Sequence, residues 1–280
     1  MSERFEWIPL GDGTRLAATL YLPDDRGPQP AILEALPYRK DDVTAYDTAD
    51  YRRLRDEGGF AACRVDLRGT GSSDGIATDE YPIQEQRDLC EVIAWIASQE
   101  WCTGDVGMFG TSYSGFNSIQ VAMKRPSALK AIVPIFATDD RYTDDVHYYG
   151  GVRRAADLPD YPLYMVAMNA LPPVPSTRGD DWRNLWRERV EKLEPWLLRW
   201  LEEQTDGPYW RHGSLRPNYP SIVCPTMIVA GWADGYRNAT FRMFERLECP
   251  RRLLLGPWSH TSTETSRPGP GIDLMPELIR

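Results

Sequence analysis

The chain has 280 residues, 42% hydrophobic and 26% charged, a composition that excludes a collagen, a coiled coil and a disulfide-stapled mini-protein and is sufficient for one large core. Its 41 acidic residues against 32 Lys and Arg leave a net charge of −9, which opposes binding to polyanions, so nucleic acid is not an expected partner. No stretch of ~18 apolar residues and no basic leader occurs, and five cysteines without a C-x-x-C pair fit a reducing compartment; the expectation is a cytoplasmic protein that does not use a membrane.

The chain opens as a hairpin, Phe5–Leu10 and Leu16–Leu22 around the turn Gly11-Asp12-Gly13, and then strands and helices alternate. Pro30–Leu36 reads as a strand and Tyr46–Arg55 as a helix ending at Gly58-Gly59. Ala61–Leu67 is a strand with a glycine-rich exit, Ile83–Ser98 a helix with Leu89, Val92, Ile93 and Ile96 on one face, and Val106–Phe109 a strand. Short apolar strands separated by amphipathic helices imply βαβ units, hence an α/β fold with a mostly parallel sheet and helices on both faces.

The rhythm breaks after the strand Ala131–Phe136 and resumes at Pro225–Ala230. The expectation is a core in two parts, residues 1–138 and 221–280, with a helical cap inserted over 139–220. That insert carries Trp182, Trp186, Trp196, Trp200 and Trp210, half of the ten tryptophans, with two pairs spaced i,i+4. They fit either an aromatic mini-core or the roof of an apolar pocket. A helix over Asn238–Leu247, the strand Arg252–Leu255 and a Pro/Gly-rich tail complete the chain.

Chemistry concentrates in Gly110-Thr111-Ser112-Tyr113-Ser114-Gly115, between the strand ending at Phe109 and a helix over Phe116–Lys124. A serine on a strained strand-to-helix turn needs small residues two before and two after it, and Gly110 and Ser114 meet that need. The strict G-x-S-x-G form is not met, because the glycine falls at 115. Chain order supplies context, since an α/β-hydrolase places serine, acid and histidine in that order after successive strands. His147 and His212 lie inside the insert, whereas His260 follows the last strand, and Asp234 follows the strand before it.

Ser112 as nucleophile, His260 as general base and then acid, and Asp234 as the carboxylate orienting the imidazole would carry acyl transfer to water. The backbone N–H of Tyr113 is one oxyanion donor by construction. The loop Leu36-Pro37-Tyr38-Arg39-Lys40 has no glycine run, and Tyr38 stands where a hydroxyl donor is wanted, although position alone leaves it equally open to a packed ring. Trp232, Tyr236 and Trp258, flanking the acid and the histidine, are substrate-binding candidates. Gly69-Thr70-Gly71-Ser72-Ser73-Asp74 has an acid where a dinucleotide loop has its third glycine. Three scattered histidines offer no paired metal-ligand spacing. Neither cofactor nor metal is implied.

These segments together resemble the CocE/NonD hydrolases, the family containing bacterial cocaine esterase, α-amino-acid ester hydrolases, glutaryl acylases and X-prolyl dipeptidyl-peptidases. The resemblance rests on D-G-x-x-L-x-A-x-L-Y-x-P (Asp12 to Pro23), P-Y-R-K (Pro37 to Lys40), D-x-R-G-x-G-x-S (Asp66 to Ser73), G-x-S-Y-x-G (Gly110 to Gly115), G-W-x-D (Gly231 to Asp234) and G-P-W-x-H (Gly256 to His260). It implies an α/β-hydrolase fold, a glycine at the late position 115, a Tyr38 hydroxyl in the oxyanion hole and a helical cap.

Family members continue past the histidine into a jelly-roll β-domain, so on this resemblance the chain is expected to be shortened and to expose an apolar surface. Gly235, Tyr236 and Arg237 stand where amino-ester specialists carry acids, which argues for a neutral or mildly anionic acyl group. Asp139, Asp140, Asp144 and Asp145 are candidates for an ammonium site, with turn and cap roles as the competing reading. The resulting expectation is a serine hydrolase of small-molecule carboxylic esters. X-Pro dipeptidyl-peptidase or amide acylase activity is the alternative, and an inactive hydrolase-like fragment the second alternative. Oligomeric state is not readable from the sequence.

Overall fold

The computed structural model describes residues 2–23, 27–45, 48–267 and 269–280, with the backbone alone at 157 and 159. An eight-stranded sheet runs in the order β1-β2-β4-β3-β5-β6-β9-β10. Its strands are β1 (Ser2–Pro9), β2 (Arg15–Leu22), β3 (Gln29–Leu36), β4 (Ala61–Asp66), β5 (Cys102–Thr111), β6 (Leu129–Ile135), β9 (Thr226–Gly231) and β10 (Arg251–Gly256). The first hairpin is antiparallel and joins β4 antiparallel; the remaining neighbours are parallel. A fully parallel run must be covered on both faces, and residues of β3 alternate accordingly. Leu33 and Ala35 enter the main core with helices α2 (Ile83–Ala97) and α3 (Tyr113–Ala122), while Ile32 meets a smaller core under α1 (Thr48–Asp56) and α10 (Met275–Ile279).

Strand β5 is longer than the apolar run Val106–Phe109. It begins at Cys102 opposite Gln29 and includes Gly104 at φ +93°, with the register shifting before Ala31 meets Val106. Helix α3 begins directly after Ser112, three residues before the apolar pattern becomes visible. Of the helix expected from Tyr46, residues 46 and 47 lie outside the described residues.

Between β6 and β9 the chain forms a two-residue hairpin, β7 (Tyr148–Tyr149) with β8 (Val152–Arg153), then α4 (Asp157–Ala170), α5 (Pro175–Arg178), α6 (Trp182–Glu191), α7 (Trp196–Glu202) and α8 (Pro208–Arg211). Helix α9 (Arg237–Arg246) connects β9 to β10. Arginines fasten this helical segment to the strand-end loops. Arg189 of α6 is buried and donates to the carbonyls of Gly71, Ser73 and Gly75, and Arg39 donates to those of Leu171 and Pro172 beyond α4. Each guanidinium offers five donors in a rigid fork, which suits it to collecting several carbonyls at once.

No helix among the described residues is long and apolar enough to cross a membrane.

Candidate active site

Ser112 is the single residue between β5 and α3, held at φ 61°, ψ −118°. A side chain at positive φ is costly and persists only when its surroundings over-determine it. Here its N–H donates to the Ile135 carbonyl at 2.8 Å and its carbonyl accepts from Phe116 N–H at 2.8 Å. The glycine positions explain themselves by contact. A Cβ on Gly110 would lie 2.2 Å from the Ser114 Cβ, and one on Gly115 would lie 2.7 Å from the Gly110 carbonyl oxygen and 2.9 Å from that of Ile135. Space behind the serine is therefore needed at 110 and 115, and with Gly110 present a serine at 114 fits.

The acid and the histidine come from one clamp between β9 and β10. Trp232 N–H donates to the Gly256 carbonyl and Ala233 N–H to that of Trp258, at 2.8 and 3.0 Å, so the loop after β9 is bonded directly to the loop after β10. A Cβ on Gly231 would sit 2.1 Å from the Trp258 carbonyl oxygen, and one on Gly256 2.7 Å from the Trp258 ring. Both glycines are what let Trp258 enter. Asp234, 2% exposed, lies 3.0 Å through Oδ1 from His260 Nδ1, and His260 Nε2 lies 2.9 Å from Ser112 Oγ. The imidazole, whose side chain is 41% exposed, rests between the ring of Phe136 and the edge of Tyr236, with centroids 5.8 and 5.3 Å away.

The two expected oxyanion tyrosines are held differently. Tyr113 opens α3, so its N–H precedes the helical ladder, while its side chain is buried, donating to Glu85 Oε2 at 2.7 Å and accepting from Tyr81 N–H at 3.0 Å. Tyr38 is half-buried beside it, with rings 6.1 Å apart and edge-on, and its hydroxyl is 3.4 Å from that of Tyr161 on α4. Burial pushes the Tyr38 phenol above its usual range, which keeps it a neutral donor. Its loop is anchored by Asp66, whose buried carboxylate accepts from Lys40 N–H at 2.8 Å and from Ser72 N–H at 3.0 Å. The acid of the D-x-R-G-x-G-x-S segment thus ties the glycine-rich turn to the tyrosine loop.

A cavity of about 790 Å³ opens over Ser112, His260 and Tyr38 and continues beneath α10. Tyr236 lines it. The other two substrate-binding candidates need correction. Trp232 is 56% exposed against Phe241, and Trp258 is 1% exposed in the core under the sheet ends; neither is among the cavity's lining residues. Trp258 instead packs as a wedge at the ends of β9 and β10, filling the space that Gly231 and Gly256 leave.

Of the five tryptophans between β6 and β9, three join the core and form no roof, while Trp182 and the exposed Trp186 stack on each other outside it. Trp196, Trp200 and Trp210 are buried, and the cavity wall in this region is built instead by Tyr161 and Tyr164 of α4, on which no motif falls. His147, fully buried, is packed between Trp200 and Trp210, 4.2 and 4.8 Å between centroids, with Nε2 2.9 Å from Glu80 Oε2. Burial works to raise the Glu80 carboxyl, but His147 and Arg141 outweigh it and hold the group below its ordinary value. Of the four candidate ammonium acids, Asp139 and Asp144 pair with Arg242, and Asp140 caps the turn at Tyr142 and Thr143. Asp145 alone lines the cavity, bonded to the Tyr236 hydroxyl at 3.2 Å, and burial pushes its carboxyl up to about 6.

Comparison with known proteins gives concordant matches. The family model for X-Pro dipeptidyl-peptidases (S15 family) covers residues 12–262. Cocaine esterase of Rhodococcus sp. (strain MB1 Bresler) is 31% identical over 284 residues, 91% of this chain and 48% of that protein. Among solved structures, a CocE/NonD family hydrolase from Staphylococcus aureus superimposes with a TM-score of 0.72 at 20% identity, over 90% of this chain and 45% of that one. An α-amino-acid ester hydrolase does so at 0.71 and 24%, over 94% and 49%. These establish the α/β-hydrolase fold; the chain spans about half the length of each of these three proteins.

Proposed function

This chain belongs to the X-Pro dipeptidyl-peptidase (S15) family, and from that premise we propose that it is a serine hydrolase cleaving small-molecule carboxylic esters through Ser112, His260 and Asp234. The observation that carries the reading is the His260 ring, bridging Ser112 Oγ at 2.9 Å and Asp234 Oδ1 at 3.0 Å. In this reaction Ser112 Oγ attacks the ester carbonyl as its proton passes to His260 Nε2. Asp234 fixes the tautomer with the proton on Nδ1 and stabilises the imidazolium. The tetrahedral oxyanion accepts from the Tyr113 N–H and the Tyr38 hydroxyl. His260 then protonates the departing alkoxide, leaving an acyl-serine that water hydrolyses by the same steps in reverse roles.

Ester cleavage is preferred because an alkoxide leaves more readily than an amine. Residues 139–220 act as a cap over the site, between core parts 1–138 and 221–280, a reading supported by the place of Tyr161 and Tyr164 in the cavity wall. The absence of a nucleic-acid partner accords with the net charge of −9, and a cytoplasmic setting with the five cysteines that show no C-x-x-C pair. A second reading, cleavage of amides or X-Pro peptides, is favoured by one feature: Asp145 brings a carboxylate to the cavity wall beside the Tyr236 hydroxyl, where an α-ammonium group would be neutralised.

Two measurements test the proposal. A fluorophosphonate should label the chain at Ser112, and Ser112→Ala should abolish both labelling and hydrolysis of p-nitrophenyl esters; labelling that survives the substitution defeats it. Comparing p-nitrophenyl acyl esters with an X-Pro-nitroanilide then separates the readings, and faster turnover of the anilide installs the second.

A further inference from the structure

The Tyr38 hydroxyl meets the hydroxyl of Tyr161 in the cavity wall. Tyr161 Oη lies 3.4 Å away, and both residues line the cavity that also contains Ser112. When Tyr38 turns its proton toward an oxyanion, its own oxygen becomes an acceptor, and Tyr161 is the group placed to fill it. We propose that Tyr161 is a positioning residue for the oxyanion hole, donating to Tyr38 Oη so that the hydrogen-bonded chain runs from Tyr161 through Tyr38 to the developing charge. This rests on the reading of Tyr38 as an oxyanion donor.

Three arrangements support it. First, the Tyr161 ring is fixed from behind, stacked on Trp200 with centroids 6.0 Å apart and planes 3° from parallel; Trp200, 1% exposed, is itself packed against His147. A phenol backed by a rigid indole presents its hydroxyl at a constant place. Second, α4 is tethered to the tyrosine loop at its far end as well. Arg39, the residue after Tyr38, donates to the carbonyls of Leu171 and Pro172 at 3.4 and 2.7 Å, so the helix bearing Tyr161 and the loop bearing Tyr38 are joined at two points. Third, burial raises both phenols, and each therefore keeps the proton that the chain requires.

A hydrogen bond received by Tyr38 polarises its O–H and strengthens the bond it gives. The resting distance is long, as catalytic hydrogen bonds are before the transition state draws them in. The effect is confined to the charged intermediate, so it acts on kcat and not on ground-state binding.

The test is a double-mutant cycle with Tyr38→Phe and Tyr161→Phe, each of which deletes one oxygen and keeps the ring. With a p-nitrophenyl ester, Tyr161→Phe should lower kcat about five- to tenfold, the worth of one neutral hydrogen bond, with KM within about twofold. Tyr38→Phe should lower it about a hundredfold, and the double variant should fall no further than Tyr38→Phe alone. Affinity for phenylboronic acid, which mimics the tetrahedral oxyanion on serine, should drop in Tyr161→Phe by the same factor as kcat. A purely structural Tyr161 would instead shift the melting temperature or KM and leave boronate affinity in place. Unchanged kcat and boronate affinity in Tyr161→Phe, or losses that multiply in the double variant, overturn the inference. If the parent chain is not labelled at Ser112, the hydrolase reading fails and the inference falls with it; labelling at Ser112 with an unresponsive Tyr161→Phe sinks the inference alone.

Discussion

The carbonyl oxygen of Trp258 occupies the place where a Cβ on Gly231 would stand, 2.1 Å away, so the backbone that leads to Asp234 and the backbone that leads to His260 are in contact three and two residues before those side chains. This contact and the two loop hydrogen bonds beside it tie the two backbones together just before the Nδ1–Oδ1 pair. Gly231→Ala must push the β9 and β10 ends apart. Overpacking of this kind costs about 1–3 kcal/mol, and a displacement near 1 Å at a catalytic pair costs on the order of 10²-fold. The expected result is a loss of at least about tenfold in kcat together with a lower unfolding midpoint. A variant with both unchanged would show that the clamp has slack.

Positions 114 and 115 should respond in opposite ways. Ser114→Gly restores the strict G-x-S-x-G form but only empties space and adds a helical glycine, worth about 0.5–1 kcal/mol of stability; turnover should stay within about threefold of the parent, since that cost lies outside the reacting geometry. Gly115→Ala drives a methyl against the Gly110 and Ile135 backbone and should cost about 1–3 kcal/mol with most of the activity. Paired denaturant melts and ester assays decide it; equal tolerance at both sites would refute the contact account.

Ser112, His260 and Asp234 are readable in the chain because each sits at the end of an apolar strand, where local grammar and strand order specify the place. Tyr161 and Tyr164 are not, because α4 carries no motif, and which face of an amphipathic helix meets a cavity depends on how the helix docks. The tryptophans show the converse. Spacing of i,i+4 tells that Trp196 and Trp200 share a face, but the partner of that face, here His147 and Tyr161, is tertiary information. Trp232 and Trp258 mislead for a related reason: residues adjacent in sequence to a catalytic side chain point elsewhere when the loop turns, and Trp258 turns inward as a wedge.

Asp234 offers a way to separate charge from orientation. Its Oδ1 faces His260, while Oδ2 is buried with no hydrogen-bond partner among the described residues. No donor there forces an amide to swing its NH₂ toward Nδ1. Asp234→Asn can therefore keep its carbonyl oxygen on the imidazole and lose only the negative charge, whereas Asp234→Ala loses both. The expected losses in kcat are about 10²–10³-fold for Asn and about 10⁴-fold for Ala, measured on the same ester. Equal losses would mean that the orientation is not retained in the amide.

Glu85 makes stability depend on pH. It is buried under the Tyr113 hydroxyl, and burial raises its carboxyl to about 8, against an ordinary value near ~4.3 in the unfolded chain. Below pH 4 both states hold the proton and nothing is lost. As pH rises from 4 to 8 the unfolded chain releases the proton while the native one retains it, so the native state loses ground, and above 8 the loss is complete. Glu85→Gln keeps an acceptor for Tyr113 and cannot ionise. Relative to this variant, the parent should therefore lose stability between pH 5 and pH 9 by more than about 2 kcal/mol, since each unit of displacement is worth ~1.4 kcal/mol. Urea unfolding at pH 5, 7 and 9 on both chains measures the gap directly, and a difference that stays constant across that range would show that the carboxyl does not carry its proton in the folded protein.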